Sequence, residues 1–175
     1  QTSLVLTSLT FSNNSADNGG AIYNDDVAAW KMDSLTFTSN SATDGSGGAV
    51  YWLPVTSVAL TINDGTFTSN TATDDGGALY LGGFSALTLE DNEFKDNEAD
   101  NGGAAYVGAI SDIVAVRNVF CSNDAINDLS TGNGGGLYLD TVLGTTKKYL
   151  KNNILHDNTA DGNGGGVWVT DSDLA

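Results

Sequence analysis

Apolar and polar residues alternate along this chain in very short runs, and the runs recur. Leu79-Tyr80-Leu81 and Leu87-Thr88-Leu89 have the period of two that marks half-buried strands, and Phe94 lies in a third run between Glu93 and Lys95. No helical period of 3.6 residues persists for long. The chain therefore reads as all-β, a series of short strands separated by polar turns rich in Gly, Asn and Asp.

The runs are copies of one unit. Phe-x-x-Asn-x-Ala occurs at Phe11/Asn14/Ala16, Phe37/Asn40/Ala42, Phe67/Asn70/Ala72, Phe94/Asn97/Ala99 and Phe120/Asn123/Ala125, and a sixth copy reads Leu155/Asn158/Ala160. Each is followed by Gly-Gly-small-aliphatic-aromatic, at 19–23, 47–51, 76–80, 102–106, 134–138 and 164–168. Gly136 and Gly166 replace the Ala21, Ala49, Ala78 and Ala104 of the earlier copies. Anchors fall 26 to 35 residues apart, and fixed landmarks at a variable period are what a solenoid tolerates. Equivalent strands in consecutive coils must run parallel, and right-handed crossovers are the default. The expected fold is a right-handed parallel β-helix over residues 1–175, one domain of about six coils with three short strands per coil. At roughly 4.8 Å per coil the rod is about 29 Å long.

Alternation assigns the side chains. Ile22, Val50, Leu79, Ala105, Leu137 and Val167 form an inward column, as do Asn24, Trp52, Leu81, Val107, Leu139 and Val169. The Phe anchors form a third. Leu6, Met32, Ile62, Leu89 and Leu150 form a fourth, with Val116 the nearest match in coil five. Tyr23, Tyr51, Tyr80, Tyr106, Tyr138 and Trp168 point outward beside the Ala/Gly column. The Asn of Phe-x-x-Asn falls at a turn, where stacked amides can hydrogen-bond up the rod. Gly-Gly supplies positive φ and close backbone approach at the next corner.

Charge narrows the partners. The formal net charge is −16, with Lys31, Lys95, Arg117, Lys147, Lys148 and Lys151 the only basic residues besides His156. Such a surface repels phosphate backbones, which argues against nucleic acid, and disfavours anionic lipid. No apolar run approaches the roughly 18 residues needed to span a membrane. Cys121 is the sole cysteine and can form no internal disulfide. Gln1 opens directly into a strand-like Leu-Val-Leu, which reads as a processed chain or a segment of a longer one.

Phe-x-x-Asn paired with Gly-Gly-Ala-(Ile/Leu/Val) resembles the repeat of the polymorphic outer membrane proteins first recognised in chlamydiae. The resemblance runs from Phe11 to Trp168, with four copies matching both halves. It implies a secreted, extracellular or cell-surface passenger acting in adhesion. Many such passengers are autotransporters with a β-barrel anchor.

Two features could bind. The aromatic column Tyr23, Tyr51, Tyr80, Tyr106, Tyr138 and Trp168 could stack on glycan rings, or its rings could stack on each other and shield the sheet. The acidic turns place Asp17, Asp44, Asp74/Asp75, Asp100 and Asp161 before the glycine pairs. Calcium suits such carboxylates, and solvation of the turns is the plainer reading. No other cofactor is implied. Polysaccharide-cleaving enzymes of the pectin-lyase type share the fold, but Arg117 and His156 show no partner by spacing, so catalysis is not expected. The long turn at 124–133 and the basic stretch at 145–151 are places to look for partner contacts. Asn13-Asn14-Ser15 fits an N-glycosylation acceptor. The expected function is a non-catalytic structural or adhesive β-helix that meets the rest of its protein, or other chains, end to end. The alternative is a glycan-binding or glycan-cleaving β-helix.

Overall fold

The computed structural model describes residues 4–25, 30–54, 58–127, 131–140 and 148–170. It is a parallel β-solenoid of four six-stranded sheets, every pairing of which is parallel. One coil runs through Ala59–Asn63, Thr66–Thr68, Thr71–Ala72 and Leu79–Gly82, one strand per sheet. The six rungs make about five turns.

Four strands per coil replace the expected three. The additional sheet consists of two-residue strands such as Ser41–Ala42 and Thr71–Ala72, paired in register across coils. A Ser-Ala or Thr-Ala pair carries no alternation of its own, so it reads as part of a corner. Only the stacking of neighbouring coils makes it a strand.

Two corners rest on single left-handed residues. Ser8, Ser34, Asp64, Asp91, Arg117 and Asn152 lie between the first and second sheets, and Asn13, Ser39, Ser69, Asp96, Ser122 and Asp157 lie between the second and third. Their φ values are 53° to 57°. Ser, Asn and Asp accept this region better than bulky residues because short polar side chains bond locally. Asn13, the acceptor of the glycosylation sequon, is an exposed member of this set.

The core is made of columns. Phe11, Phe37, Phe67, Phe94 and Phe120 stack with centroids 4.7–5.0 Å apart and planes within 5–8° of parallel. That spacing is the distance between neighbouring strands, so in-register pairing alone brings the rings into contact. The column Ile22, Val50, Leu79, Ala105, Leu137 and Val167 is in register, as is the column from Asn24 to Val169. In the first sheet Leu89 pairs with Ala115, not Val116, and Ala115 with Leu150. Val116 instead continues the outward column after Glu90.

The alanines before the tyrosine strands do not form an outward track. Ala49, Ala78 and Ala104 are fully buried in the core. Two successive N–H groups, those of Ala78 and Leu79, donate to the single carbonyl of Ala104, and the same doubling recurs at Ala49 and Ala21. The coils stay in one-to-one register through this point, and the small side chain faces inward even at Ala104, whose N–H and that of Ala105 bond to separate carbonyls. Where Gly136 and Gly166 replace alanine, the N–H groups again bond one to one.

Candidate functional site

The tyrosine sheet turns its middle side chains outward, and they stack. Tyr23, Tyr51, Tyr80, Tyr106 and Tyr138 lie 4.8–5.1 Å apart, with interplanar angles of 4–18°. Within the ladder each ring face is covered by the next ring, so the surface consists of ring edges and hydroxyls. Tyr23, at the end of the ladder, is 54% exposed, and the tyrosines between are half-buried. Trp168 pairs in register with Tyr138. Burial pushes the Tyr106 phenol well above its usual range, and its hydrogen bond to Asp140, 2.7 Å from Oη to Oδ2, adds to this. Burial raises Tyr80 and Tyr51 as well. Asp140 also accepts from the Thr170 hydroxyl at 2.7 Å.

The acidic turn residues do not share one environment. Asp17, Asp44, Asp74 and Asp161 are exposed, and Asp100 is half-buried. Asp75 belongs to a ladder of polar side chains preceding the glycine pairs: Asn18, Ser46, Asp75, Asn101, Asn133 and Asn163. The Ser46 N–H donates to Asn18 Oδ1, the Asp75 N–H to Ser46 Oγ, Asn101 Nδ2 to Asp75 Oδ1, and the Asn163 N–H to Asn133 Oδ1. Asp74, Glu98 and Asp100 line an open groove of about 800 Å³ on the third sheet, above Ala72 and Ala99. Among the described residues no group of three or more His, Cys, Asp or Glu side chains converges as a metal site would.

Burial raises the Asp75 carboxyl above the ordinary range. The Asn101 hydrogen bond opposes this, and the carboxylates of Asp74, Asp100 and Asp140 reinforce it. A carboxyl raised in the folded state contributes stability that is present below the unfolded pKa and lost as pH rises through the folded value. Asp75→Asn is therefore expected to raise the melting temperature by a few degrees at neutral pH and to leave it nearly unchanged near ~pH 3. Circular-dichroism melts at the two pH values check this. An equal gain at both would mean that the new amide, not removal of the charge, was responsible.

Register reveals partners that spacing along the chain conceals. Arg117, expected to be isolated, sits at a left-handed corner and pairs with Asp91 and Glu90 of the preceding coil. Its hydrogen bond lowers the exposed Asp91 carboxyl. Cys121 pairs in register with His156, Sγ to Nδ1 at 3.7 Å, while Asp157 Oδ2 lies 2.9 Å from the same nitrogen. Catalysis would need the thiol and the carboxylate on opposite ring nitrogens, so that one orients the ring and the other gives up its proton. Here both compete for Nδ1, and the shorter contact is to Asp157. Of the two stretches expected to meet partners, 128–130 and 145–147 lie outside the described residues. Lys148–Lys151 is an exposed edge strand of the first sheet, and Ile126 and Asn127 border the acidic groove.

Two further polar ladders hold this surface in place. Each Asn of Phe-x-x-Asn donates its backbone N–H and its Nδ2 to the Oδ1 of the next, from Asn14 to Asn158. A second ladder links Gly65, Asn92, Asn118 and Asn153. Its signal in the sequence is an Asn two residues before the anchor in copies four to six, a pattern too short-lived to stand out.

No curated protein and no solved structure matches the chain. The family model of the Chlamydia polymorphic membrane protein (Chlamydia_PMP) repeat matches residues 8–25, 34–51 and 64–82. Each matched segment begins on the first left-handed corner residue, Ser8, Ser34 or Asp64, and reaches the tyrosine strand. The four-sheeted rod is thus a β-solenoid in which three successive copies of the unit match the Chlamydia polymorphic membrane protein repeat.

Proposed function

We propose that this chain is a structural and adhesive segment of a surface-exposed protein and carries no catalytic site. The observation that supports the reading is the repeat itself, matched at three places and folded into a rod whose ladders pair internally. A segment built this way holds a long wall rigid and presents side chains at fixed intervals. The repeat and the solenoid fit a surface, autotransporter-like structural segment. No helix among the described residues is long and apolar enough to cross a membrane.

The two end rungs suggest how the segment is used. Leu4 and Leu9 at one end, and Leu150 and Val169 at the other, belong to inward columns yet are 41–56% exposed. A further coil or a second chain seated there would bury them and pair the open strand edges.

The test is attachment. Beads coated with the purified chain should bind cultured epithelial cells several-fold more than albumin-coated beads, and soluble chain should compete. Equal attachment would reject the adhesive role. Release of reducing ends or unsaturated products from acidic polysaccharides by the purified chain would overturn the non-catalytic reading in favour of a glycan-cleaving one.

A further inference from the structure

Turns of unequal length shape the groove on the third sheet. Between the Ala that ends each short strand and the glycine pair that follows lie three residues in the third coil (73–75), two in the fourth (100–101) and eight in the fifth (126–133). The fourth-coil turn is the shortest of the three, so it recedes between its neighbours. Thr73 and Asp74 wall the gap on one side and Ile126 on the other, with Glu98 and Asp100 of the fourth coil between them. The groove follows the rod axis from Ser41 in the second coil to Ile126 in the fifth and has a volume of about 800 Å³. That path is three strand spacings, about 14 Å, or about four extended residues.

The lining describes the ligand. No basic side chain lies in the groove, so its potential is negative. No aromatic ring lies in it either, so it offers no face on which a sugar could stack. Its carboxylates come from both sides of the alanine strip, and among the described residues they do not converge as a metal site would. A calcium ion needs about six to eight oxygens around one point, whereas a separated set suits a cation that is itself extended. Glu98 stands outward from its strand and is exposed, as is Asp74. Ile126 exposes apolar surface beside them.

We propose that this groove receives an extended basic segment of a partner protein, lying along the rod with cationic tips at Glu98 and Asp74 and an aliphatic stem against Ile126. Long basic side chains carry this pairing of apolar stem and charged tip. A net charge of −16 draws such segments toward the rod before contact, and the groove gives them a place to seat. The inference rests on the adhesive reading above and names the chemistry of the partner.

The experiment is a titration of the isotopically labelled chain with the peptide acetyl-Lys-Ala-Lys-Ala-Lys-amide, whose lysines face one side when extended, followed by amide NMR shifts. Thr73, Asp74, Glu98, Ala99 and Ile126 should shift saturably, and the fully acetyl-lysine form of the peptide should produce no shift. Glu98→Lys turns an attraction into a repulsion and should weaken binding about tenfold or more. Glu93→Lys, the same reversal at an exposed position on the neighbouring sheet of the same coil, should change it less than about twofold. Four results would overturn the proposal: no saturable shift up to ~10 mM peptide, equal shifts with the acetyl-lysine form, equal weakening by Glu93→Lys, or tighter binding of cellohexaose than of the peptide. The acetyl-lysine and cellohexaose arms use the unaltered chain and decide the matter even if a variant fails to fold. Failed cell attachment with a successful titration would reject the adhesive role and keep the groove as a peptide site, and the reverse result would reject the groove alone.

Discussion

Gly77→Ala is expected to destabilise the third coil by about 3 kcal/mol or more, lowering the melting temperature by roughly 10 °C in a chain of this size. The second glycine of the pair has no other coil geometry open to it. A Cβ there would fall inside the van der Waals envelope of the Gly103 carbonyl oxygen and 2.6 Å from both the N and the O of Glu98. All of these are backbone atoms of neighbouring strands and cannot swing aside. The first glycine, Gly76, has a different reason: its φ is 69°, and a Cβ would meet the Leu79 carbonyl. Gly82→Ala is the contrast, because the atom it meets first is the tip of the Leu53 side chain, 2.9 Å away. Thermal and denaturant unfolding of the two variants checks the difference. A Gly77→Ala protein melting within a couple of degrees of the parent would show that the coils can slide apart at small cost.

Asn97→Ala is expected to cost about 3–5 kcal/mol, since each buried polar group left without a partner costs roughly 1–3 kcal/mol. Asn97 is fully buried. Its Oδ1 accepts from the N–H and the Nδ2 of Asn70, and its Nδ2 donates to the Phe67 carbonyl and to Asn123 Oδ1. Alanine leaves the Asn70 N–H and one Asn70 amide hydrogen without partners, in a site closed to water. The position along the rod supplies the control. Asn14 is exposed and bonds only to Asn40 among these ladder residues, so Asn14→Ala should cost well under half as much. Equal costs at the two positions would mean that the ladder contributes through local corner geometry and not through its continuity.

These two substitutions bear on function because the same contacts set the spacing of the outward side chains. The tyrosines lie about one strand spacing apart only while the coils stay in register. Loss of one coil would break the stacking of the tyrosine faces along the ladder. Attachment measured on the Asn97→Ala protein below its melting temperature would show whether the wall keeps its spacing.

Much of this was legible in the sequence, and for a common reason. A solenoid repeats its requirements every coil, so a residue needed once is needed six times. Phe67, Asn70, Gly76, Leu79 and Tyr80 therefore announce their places by recurrence, and the inward and outward columns follow from alternation. The two-residue sheet escaped because Thr71–Ala72 is shorter than one period of alternation. The buried alanines escaped because adjacent residues, Ala78 and Leu79, both face inward, which breaks the period of two just before the tyrosine strand. Val116 was placed one residue too far because the shift in coil five is visible only in its pairing with Glu90.

The candidate sites depended more heavily on the third dimension. The sequence by itself determined that the chain is a repeating parallel β-solenoid, that tyrosines face outward in one column and that the surface is acidic, because each of these is a property of one coil repeated. Only the tertiary structure decided what the coils do to one another. It stacked the tyrosine faces against each other, buried Asp75 among its neighbours, and brought Cys121 beside His156 with Asp157 on the same nitrogen. Each of these joins residues 25 or more positions apart, or sets their orientation, and is fixed by register between coils, which no stretch of one coil encodes.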